Sequence, residues 1–417
     1  MLALVIFLVF MLTLLIKQDK LVFMQFKKIE NSQLNVSTIC LGTMTMGSQN
    51  KELDAFKLMD FAADRNINFF DTAEQYASPS SKKTFGTTEK IIGKWFKQKM
   101  NRDKIILATK ISGPGNKWIR GGGFQYNKEN LKIALEGSLK RLETDYIDIY
   151  QLHWPEKISH LFTKSGYEYS ELAKKRDNFE EVLNILNEFI NQGKIRYIGL
   201  CNETVSGFEK YLNLSISKNL PRMITMQNRY NLLDRTIEES FFNINNDKNF
   251  GLLTYSPLAF GTLSGKYINN KKPENSRLKL YGNYFPRYSG NFSNLAIKEY
   301  YNIAKKFNIS LSKLSIAFVL NRSFVTSCII GSTNIQQLEE NIDSVNIKLD
   351  NEILEKINFV HKNNPNPSTQ IEIKPIYKRI FIYQKEGLKL ILNNDWKTLL
   401  YKISKIIIKP LKKMLKR

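Results

Sequence analysis

Between Met24 and about His361, short β-branched or apolar runs alternate with longer segments of helical periodicity, and this alternation restricts the chain more than any other feature. Apolar runs of this length suit strands buried on both faces, the setting of a parallel sheet, and each such strand needs a crossover helix to reach the next. In order, the strand candidates are STICLG (37–42), NFFDT (68–72), IILATK (105–110), YIDIYQLH (146–153), RYIGLC (196–201), MITMQ (223–227), LLTYS (252–256) and SCIIGS (327–332). Eight runs fit one closed (β/α)8 barrel of the α/β class, a TIM barrel. Helical patterns fill the intervals, for example 129–142 and 178–194, the latter stopped by Gly193. Before the first run, QFKKIENSQLNVS reads as a hairpin able to plug the barrel floor. A length of 417 residues, 42% of them hydrophobic, can supply so large a core.

Polar residues stand where the apolar runs end: Asp71, Lys110, His153, Asn202, Gln227, Ser256 and Thr333. In a parallel barrel all the C-terminal strand ends open on one face, so residues remote in sequence converge there. Tyr76 follows Asp71 by five positions, in a loop on that same face. An ammonium beside a phenol favours its phenolate, which is the role open to Lys110. A carboxylate beside a buried lysine keeps it charged, which suits Asp71. His153 can orient a substrate carbonyl or assist the proton transfer. A tuned acid over a polarised carbonyl, with neither a metal nor an activated nucleophile, suits reduction by an external hydride donor. Read singly, Asp71 with Lys110 is an ordinary barrel-mouth ion pair, His153 a strand-end histidine and Tyr255 rim packing. Their convergence carries the reading. The GGG at 121–123 reads as a loop and not as a phosphate cradle, because no helix start follows it.

Cys40, Cys201 and Cys328 are far apart and sit in or beside apolar runs, which points to buried reduced thiols and a cytoplasmic setting. Only three histidines are present, in no ligand-like spacing, so no metal site is expected. The formal charge of +23 is unevenly spread: residues 371–417 hold 13 Lys or Arg against Glu372, Glu386 and Asp395. From Trp396, the apolar Leu399, Leu400, Ile403, Ile407, Leu411 and Met414 recur at helical spacing, with lysines opposite and Pro410 as a kink. Such a basic amphipathic segment (396–417) can lie on an anionic membrane surface or dock on the barrel, and the pattern favours the membrane surface. Its aromatics do not alternate with its charges, so no nucleic acid partner is expected.

Residues 1–23 open on 16 apolar or near-apolar positions, roughly 24 Å as a helix and short of a bilayer core of about 30 Å. They read either as an anchor or as codons upstream of a true start at Met24. The organisation expected is thus an apolar segment (1–23), a barrel (24–362) and a basic amphipathic helical tail (363–417), in a cytoplasmic setting, with contact to a membrane surface open to the segment 396–417.

The stretches LGTMTMG (41–47), DTAEQY (71–76), ATK (108–110), YQLHWP (150–155), GKIRYIGLCNE (193–203), QNRYNLLDR (227–235), YSPLAFGTLSGKY (255–267) and IIGSTNIQQLEENI (329–342) together resemble the aldo-keto reductases. Within that family the chain is similar to the bacterial Tas-like branch and to potassium-channel β subunits. The resemblance implies an NADP-dependent oxidoreductase that reduces an aldehyde or ketone, with Tyr76, Asp71, Lys110 and His153 as the catalytic tetrad. It also implies NADPH bound extended across the barrel mouth, in keeping with the absence of a Rossmann glycine fingerprint. By the same resemblance Asn202 and Gln227 hold the carboxamide and Tyr255 lies on the ring. Ser256, Leu258, Gly261 and Lys266 line the pyrophosphate path, Arg277 meets the 2′-phosphate, and Gly331, Thr333, Gln337, Glu340 and Asn341 close over the adenosine. Lys271 and Lys272 are expected to add positive charge there. Substrate choice falls to the loops 112–126, 155–177 and 277–293, through aromatics such as Trp118, Trp154, Tyr281, Tyr284 and Phe285. Two other classes stay open: a cofactor-binding regulatory or redox-sensing subunit with a membrane partner, and a barrel enzyme that is not a reductase.

Overall fold

The structure is a computed structural model that describes residues 24–113, 116–122, 125–155, 177–238, 250–282 and 286–369. The expectations placed on residues 1–23 and on the segment 396–417 lie outside these residues. Two short strands, β1 (Phe26–Lys28) and β2 (Asn35–Ser37), form an antiparallel hairpin. Eight further strands follow: β3 (Ile39–Gly42), β4 (Phe69–Asp71), β5 (Ile106–Ile111), β6 (Ile147–Leu152), β7 (Ile195–Cys201), β8 (Met223–Arg229), β9 (Gly251–Tyr255) and β10 (Ser327–Ile330). They pair in parallel and in sequence order, and β10 closes on β3 with Cys328 opposite Ile39, so the sheet is a closed barrel. All eight strands expected from the sequence are present, each within one or two residues of its apolar run.

Helices ring the barrel: α1 (Glu52–Asp64), α2 (Thr87–Lys99), α3 (Lys128–Leu142), α4 (Phe179–Asn191), α5 (Val205–Ser217), α6 (Arg277–Tyr281), α7 (Asn291–Lys306), α8 (Leu311–Leu320), α9 (Ile335–Ile342) and α10 (Asn351–Asn363). In α4, Phe179, Val182, Leu183, Leu186 and Phe189 are buried, the 3, 4 and 7 spacing of one helical stripe, while Glu180 and Glu181 sit at the positive end of the helix dipole. Gly193, at φ +71°, takes the left-handed turn that ends it and donates its N–H to Ile190 O at 2.8 Å. Asn127, Asn334 and Asp350 cap α3, α9 and α10 through their side-chain oxygens. Past α10 the chain stays on the barrel, where Ser368 N–H donates to Leu233 O. Among the described residues no helix is long and apolar enough to cross a membrane.

Among the described residues there are two apolar cores. The larger lies between the strands and the helix ring, built from residues such as Phe70, Trp95, Leu107, Leu135, Tyr150 and Leu186. The smaller fills the barrel axis, where Cys40, Phe69, Ala108, Ile149, Ile224, Leu253 and Ile329 meet Ile29, Leu34 and Val36 of the hairpin. The hairpin therefore closes the floor, as its sequence leads one to expect. Each large apolar side chain so buried contributes roughly 1.5–3 kcal/mol. The three cysteines are buried and unbridged.

One glycine measures how tightly the ring is packed. A Cβ on Gly93, in the middle of α2, would lie 2.5 Å from Arg141 O and 2.7 Å from Leu142 C, backbone atoms of α3 that cannot swing aside. Helix propensity alone favours alanine by about 1 kcal/mol. We expect Gly93→Ala instead to lower stability by about 1–3 kcal/mol, because α2 must move off α3. Urea denaturation of the two proteins checks the sign.

Candidate active site

Strand parity builds the site. Side chains two residues apart on a strand point to the same side. Phe69, Ala108, Ile149 and Leu253 form the apolar layer inside the barrel, and two residues further along stand Asp71, Lys110, Gln151 and Tyr255. His153 follows Gln151 by two more. Cys40 and Ile329 lead in the same way to Gly42 and Gly331, which keep that part of the mouth open. On β8 the spacing from the interior Ile224 to Gln227 is three, which strict alternation forbids. A register shift against β7, between Ile198 and Gly199, supplies the extra residue and lets Gln227 reach the axis.

At the centre, Lys110 Nζ lies 2.7 Å from Asp71 Oδ2 and 2.7 Å from the Thr72 carbonyl, with side-chain exposures of 0% for the lysine and 4% for the aspartate. The other carboxylate oxygen, Asp71 Oδ1, accepts from Gln227 Nε2 at 2.8 Å and from Gln151 Nε2 at 3.4 Å. Burial pulls the Lys110 pKa down; the Asp71 carboxylate, joined by Tyr76 and Cys201, outweighs it and holds the lysine pKa above its ordinary value. Lys110 Nζ sits 5.3 Å from the centre of the Tyr76 ring, and the His153 ring meets Tyr76 edge-on at 5.9 Å. The four side chains of the expected tetrad are thus brought together.

The electrostatics depart from the sequence reading in one respect. Lys110 does favour the Tyr76 phenolate, but burial works the other way and wins, so the phenol pKa rises to about 12 and the hydroxyl holds its proton at neutral pH. Burial, and then the charge of Lys110, pushes the His153 pKa well below its ordinary value, so the imidazole is neutral. Among the described residues its Nδ1 is buried without a hydrogen-bond partner.

A cavity of about 420 Å³ opens above this cluster, walled by Asp71, Tyr76 and His153 and by every residue that the sequence assigns to the cofactor, from Asn202 to Asn341. Lys110 does not line it; the lysine lies beneath the wall. Tyr255 OH donates to Asn202 Oδ1 at 2.6 Å, and Asn202 Nδ2 donates to the His153 carbonyl at 3.1 Å, which ties three strand ends together. Gln227 is already engaged by Asp71, so its amide serves the ion pair as well as the cavity. Elsewhere on the rim Thr333 donates through N and Oγ1 to Gln337 Oε1, and Asn341 Nδ2 donates to Ser332 Oγ.

Lys266 and Arg277 both line the cavity, and burial lowers both pKa values, with Arg277 lowering that of Lys266 further. Among the described residues Lys266 has no ion-pair partner. Two half-buried cations facing one space suit a phosphate. Lys271 and Lys272 do not share that position: they are exposed and lie outside the wall, a correction to the charge expected there. Of the aromatics expected to meet substrate, Trp154 lines the cavity and stacks on His153 at 6.3 Å, whereas Trp118 and Tyr281 do not line it. Tyr284 and Phe285 lie outside the described residues. The sequence reading passed over Phe260, Gln151, Gln75 and Glu74; for Gln151 the two-residue step from Ile149 was the available signal.

The buried pair generates two expectations. Lys110→Met leaves the buried Asp71 without its counter-ion, which should cost about 3–5 kcal/mol, and adding Asp71→Leu should recover part of that loss; urea denaturation of the three variants tests the coupling. Because the folded state holds His153 neutral, the unfolded chain binds its proton first as pH falls below about 6.5, so this residue's contribution to stability is present above that pH and declines below it. NMR of the His153 imidazole at pH 6 should show the neutral form, and a charged ring there would contradict the assignment.

Comparison with known proteins agrees along nearly the whole described chain. The family model described as "Aldo/keto reductase family" matches residues 38–361. "Protein tas" of Escherichia coli (strain K12) is 41% identical over 342 residues, 81% of this chain and 98% of that protein. "Uncharacterized oxidoreductase YrpG" of Bacillus subtilis (strain 168) is 32% identical over 340 residues, 81% of this chain and 96% of that protein. A protein of Oryza sativa subsp. japonica named "Probable voltage-gated potassium channel subunit beta" is 28% identical over 361 residues, 82% and 98% of the two chains.

Proposed function

Because the chain belongs to the aldo/keto reductase family, we propose that it reduces an aldehyde or ketone to the alcohol with NADPH as cofactor and Tyr76 as proton donor. The observation that carries this reading is the Asp71–Lys110 pair buried against Tyr76 at the wall of the cavity. Tyr76 keeps its proton at neutral pH, so it can hydrogen-bond a carbonyl oxygen before giving the proton up. As the proton leaves, charge develops on the phenol oxygen, and the fixed ammonium of Lys110 stabilises it without reorganisation. Asp71 acts one step back by keeping that ammonium charged. The neutral imidazole of His153 orients the carbonyl without competing as an acid.

The residues of the cavity fit the cofactor. Lys266 and Arg277 answer the phosphate charge, while Asn202 and Gln227 offer amides and Tyr255 a ring face for the nicotinamide end. Ser256, Leu258 and Gly261 follow along the pyrophosphate path, and Gly331, Thr333, Gln337, Glu340 and Asn341 form the adenosine end. Bound there, NADPH supplies the hydride.

A second reading rests on the names of the plant relatives. It is a cofactor-binding regulatory or redox-sensing subunit with a membrane partner, and the segment 396–417 is its proposed contact with the membrane surface. Negligible turnover across a broad carbonyl panel, with NADPH bound and a membrane complex recovered, would favour it over the enzyme.

For the enzyme, Tyr76→Phe should lower kcat at least 100-fold while NADPH binding, followed by its fluorescence, is retained. Near-normal turnover would reject the mechanism. Arg277→Met should weaken NADPH binding about tenfold or more and leave NADH binding little changed, since only NADPH carries the 2′-phosphate. Equal losses for the two cofactors would remove Arg277 from that role.

A further inference from the structure

Gln151 sits on β6, paired with Lys110 of β5 on one side and Gly199 of β7 on the other; it has no exposed surface and is not part of the cavity wall. A polar side chain placed out of reach of solvent must find its partners among its neighbours. Its nitrogen donates to Asp71 Oδ1 at 3.4 Å, and its oxygen accepts from Gln227 Nε2 at 3.3 Å. Gln227 Nε2 also donates to Asp71 Oδ1 at 2.8 Å. The three side chains close a ring, in which Asp71 and Gln227 reach the cavity and Gln151 stands behind them. A Cβ on Gly199 would come within 3.4 Å of Gln151 Cγ and 2.1 Å of Thr225 Oγ1, so the bare glycine leaves this layer the room it occupies.

The ring decides what Gln227 can offer. A side-chain amide has two N–H donors and one carbonyl oxygen. Both donors of Gln227 are engaged, one by Asp71 and one by Gln151, and its oxygen accepts from Cys201 Sγ at 3.5 Å. Turned over, the amide would set its oxygen against the Asp71 carboxylate and the Gln151 oxygen. With both N–H groups held inward, what Gln227 presents to the cavity is an acceptor. Remove Gln151 and the second N–H loses its partner where no water replaces it, so the amide is no longer fixed. The same removal takes one of the two amide donors from Asp71 Oδ1, on the carboxylate that holds the ammonium of Lys110 beside Tyr76.

We propose that Gln151 is a positioning residue: from outside the cavity it fixes the amide of Gln227 toward the cofactor and the carboxylate of Asp71 toward Lys110. The inference rests on the reductase reading above. The role requires one donor and one acceptor at the end of the side chain, and no charge. A neutral carboxylic acid meets that requirement, with an O–H for Asp71 and a carbonyl for Gln227. A carboxylate does not, because it has no donor and meets Asp71 with like charge.

Gln151→Glu in the full-length protein turns this requirement into a pH profile, since burial and the neighbouring carboxylate keep the introduced acid neutral until the pH is raised. NADPH affinity, followed by fluorescence, and kcat on a carbonyl that the wild type reduces should both lie within about threefold of wild type near pH 6, fall about tenfold or more behind it near pH 9, and recover when the pH is brought back. Gln151→Leu, of nearly equal volume, should bind NADPH about three- to tenfold more weakly and lose kcat by a similar factor at every pH, the value of a neutral hydrogen bond for each. A residue that merely fills space would give deficits that do not move with pH. A flat ratio of Gln151→Glu to wild type across this range, or a leucine variant with wild-type affinity and turnover, overturns the proposal. A wild type that binds NADPH and reduces none of a broad carbonyl panel overturns the reductase reading instead, and the NADPH affinities of the two variants then still decide whether Gln151 positions Gln227.

Discussion

The structure turns on one pair of opposite charges set in a place that ordinarily rejects both. Removing a lysine and an aspartate from water costs several kcal/mol for each ion, and their mutual attraction repays this only if the remaining polar atoms are also satisfied. Here most are. Lys110 donates one N–H to Asp71 and one to the Thr72 carbonyl, while the far oxygen of Asp71 accepts from the side-chain amides of Gln227 and Gln151. Four strands of the barrel thus contribute to one ion pair, and the pair in turn fixes their relative heights. At Tyr76 and His153 the charge of Lys110 comes second to burial in setting the electrostatics.

The polar layer does not interrupt the packing of the barrel; it caps it. Below lie Phe69, Ala108, Ile149 and Leu253, and below them the hairpin side chains Ile29, Leu34 and Val36. An apolar plug of this kind leaves the charges no water from beneath, so all their solvation comes from neighbours or from the mouth. That asymmetry explains why the imidazole stays neutral and the ammonium stays charged within one small volume. Among the described residues no carboxylate raises the pKa of His153, whereas Lys110 has Asp71.

Much of this was legible in the sequence. Eight apolar runs separated by helical patterns specify the barrel because parallel strands need crossovers, and the polar residue at the end of each run marks the open face. Tyr76 was found through its distance from Asp71, not through any strand. What escaped were features that depend on how elements meet. Gln227 reaches the axis only through a register shift against β7, which periodicity along one chain does not reveal. Glu74 and Gln75 read as ordinary loop polarity until Ser112, Asn116 and Arg120 are seen to converge on them. The basic loop misled in the other direction: Lys266 and Arg277 turn into the cavity, whereas Lys271 and Lys272 between them turn to solvent, a choice set by the fold of the loop and not by its composition.

The hairpin under the barrel has a kinetic corollary. A vessel stoppered at its base is filled and emptied through its neck alone, so traffic must queue. A ligand lodged at the foot of such a cavity leaves by the same opening through which it came.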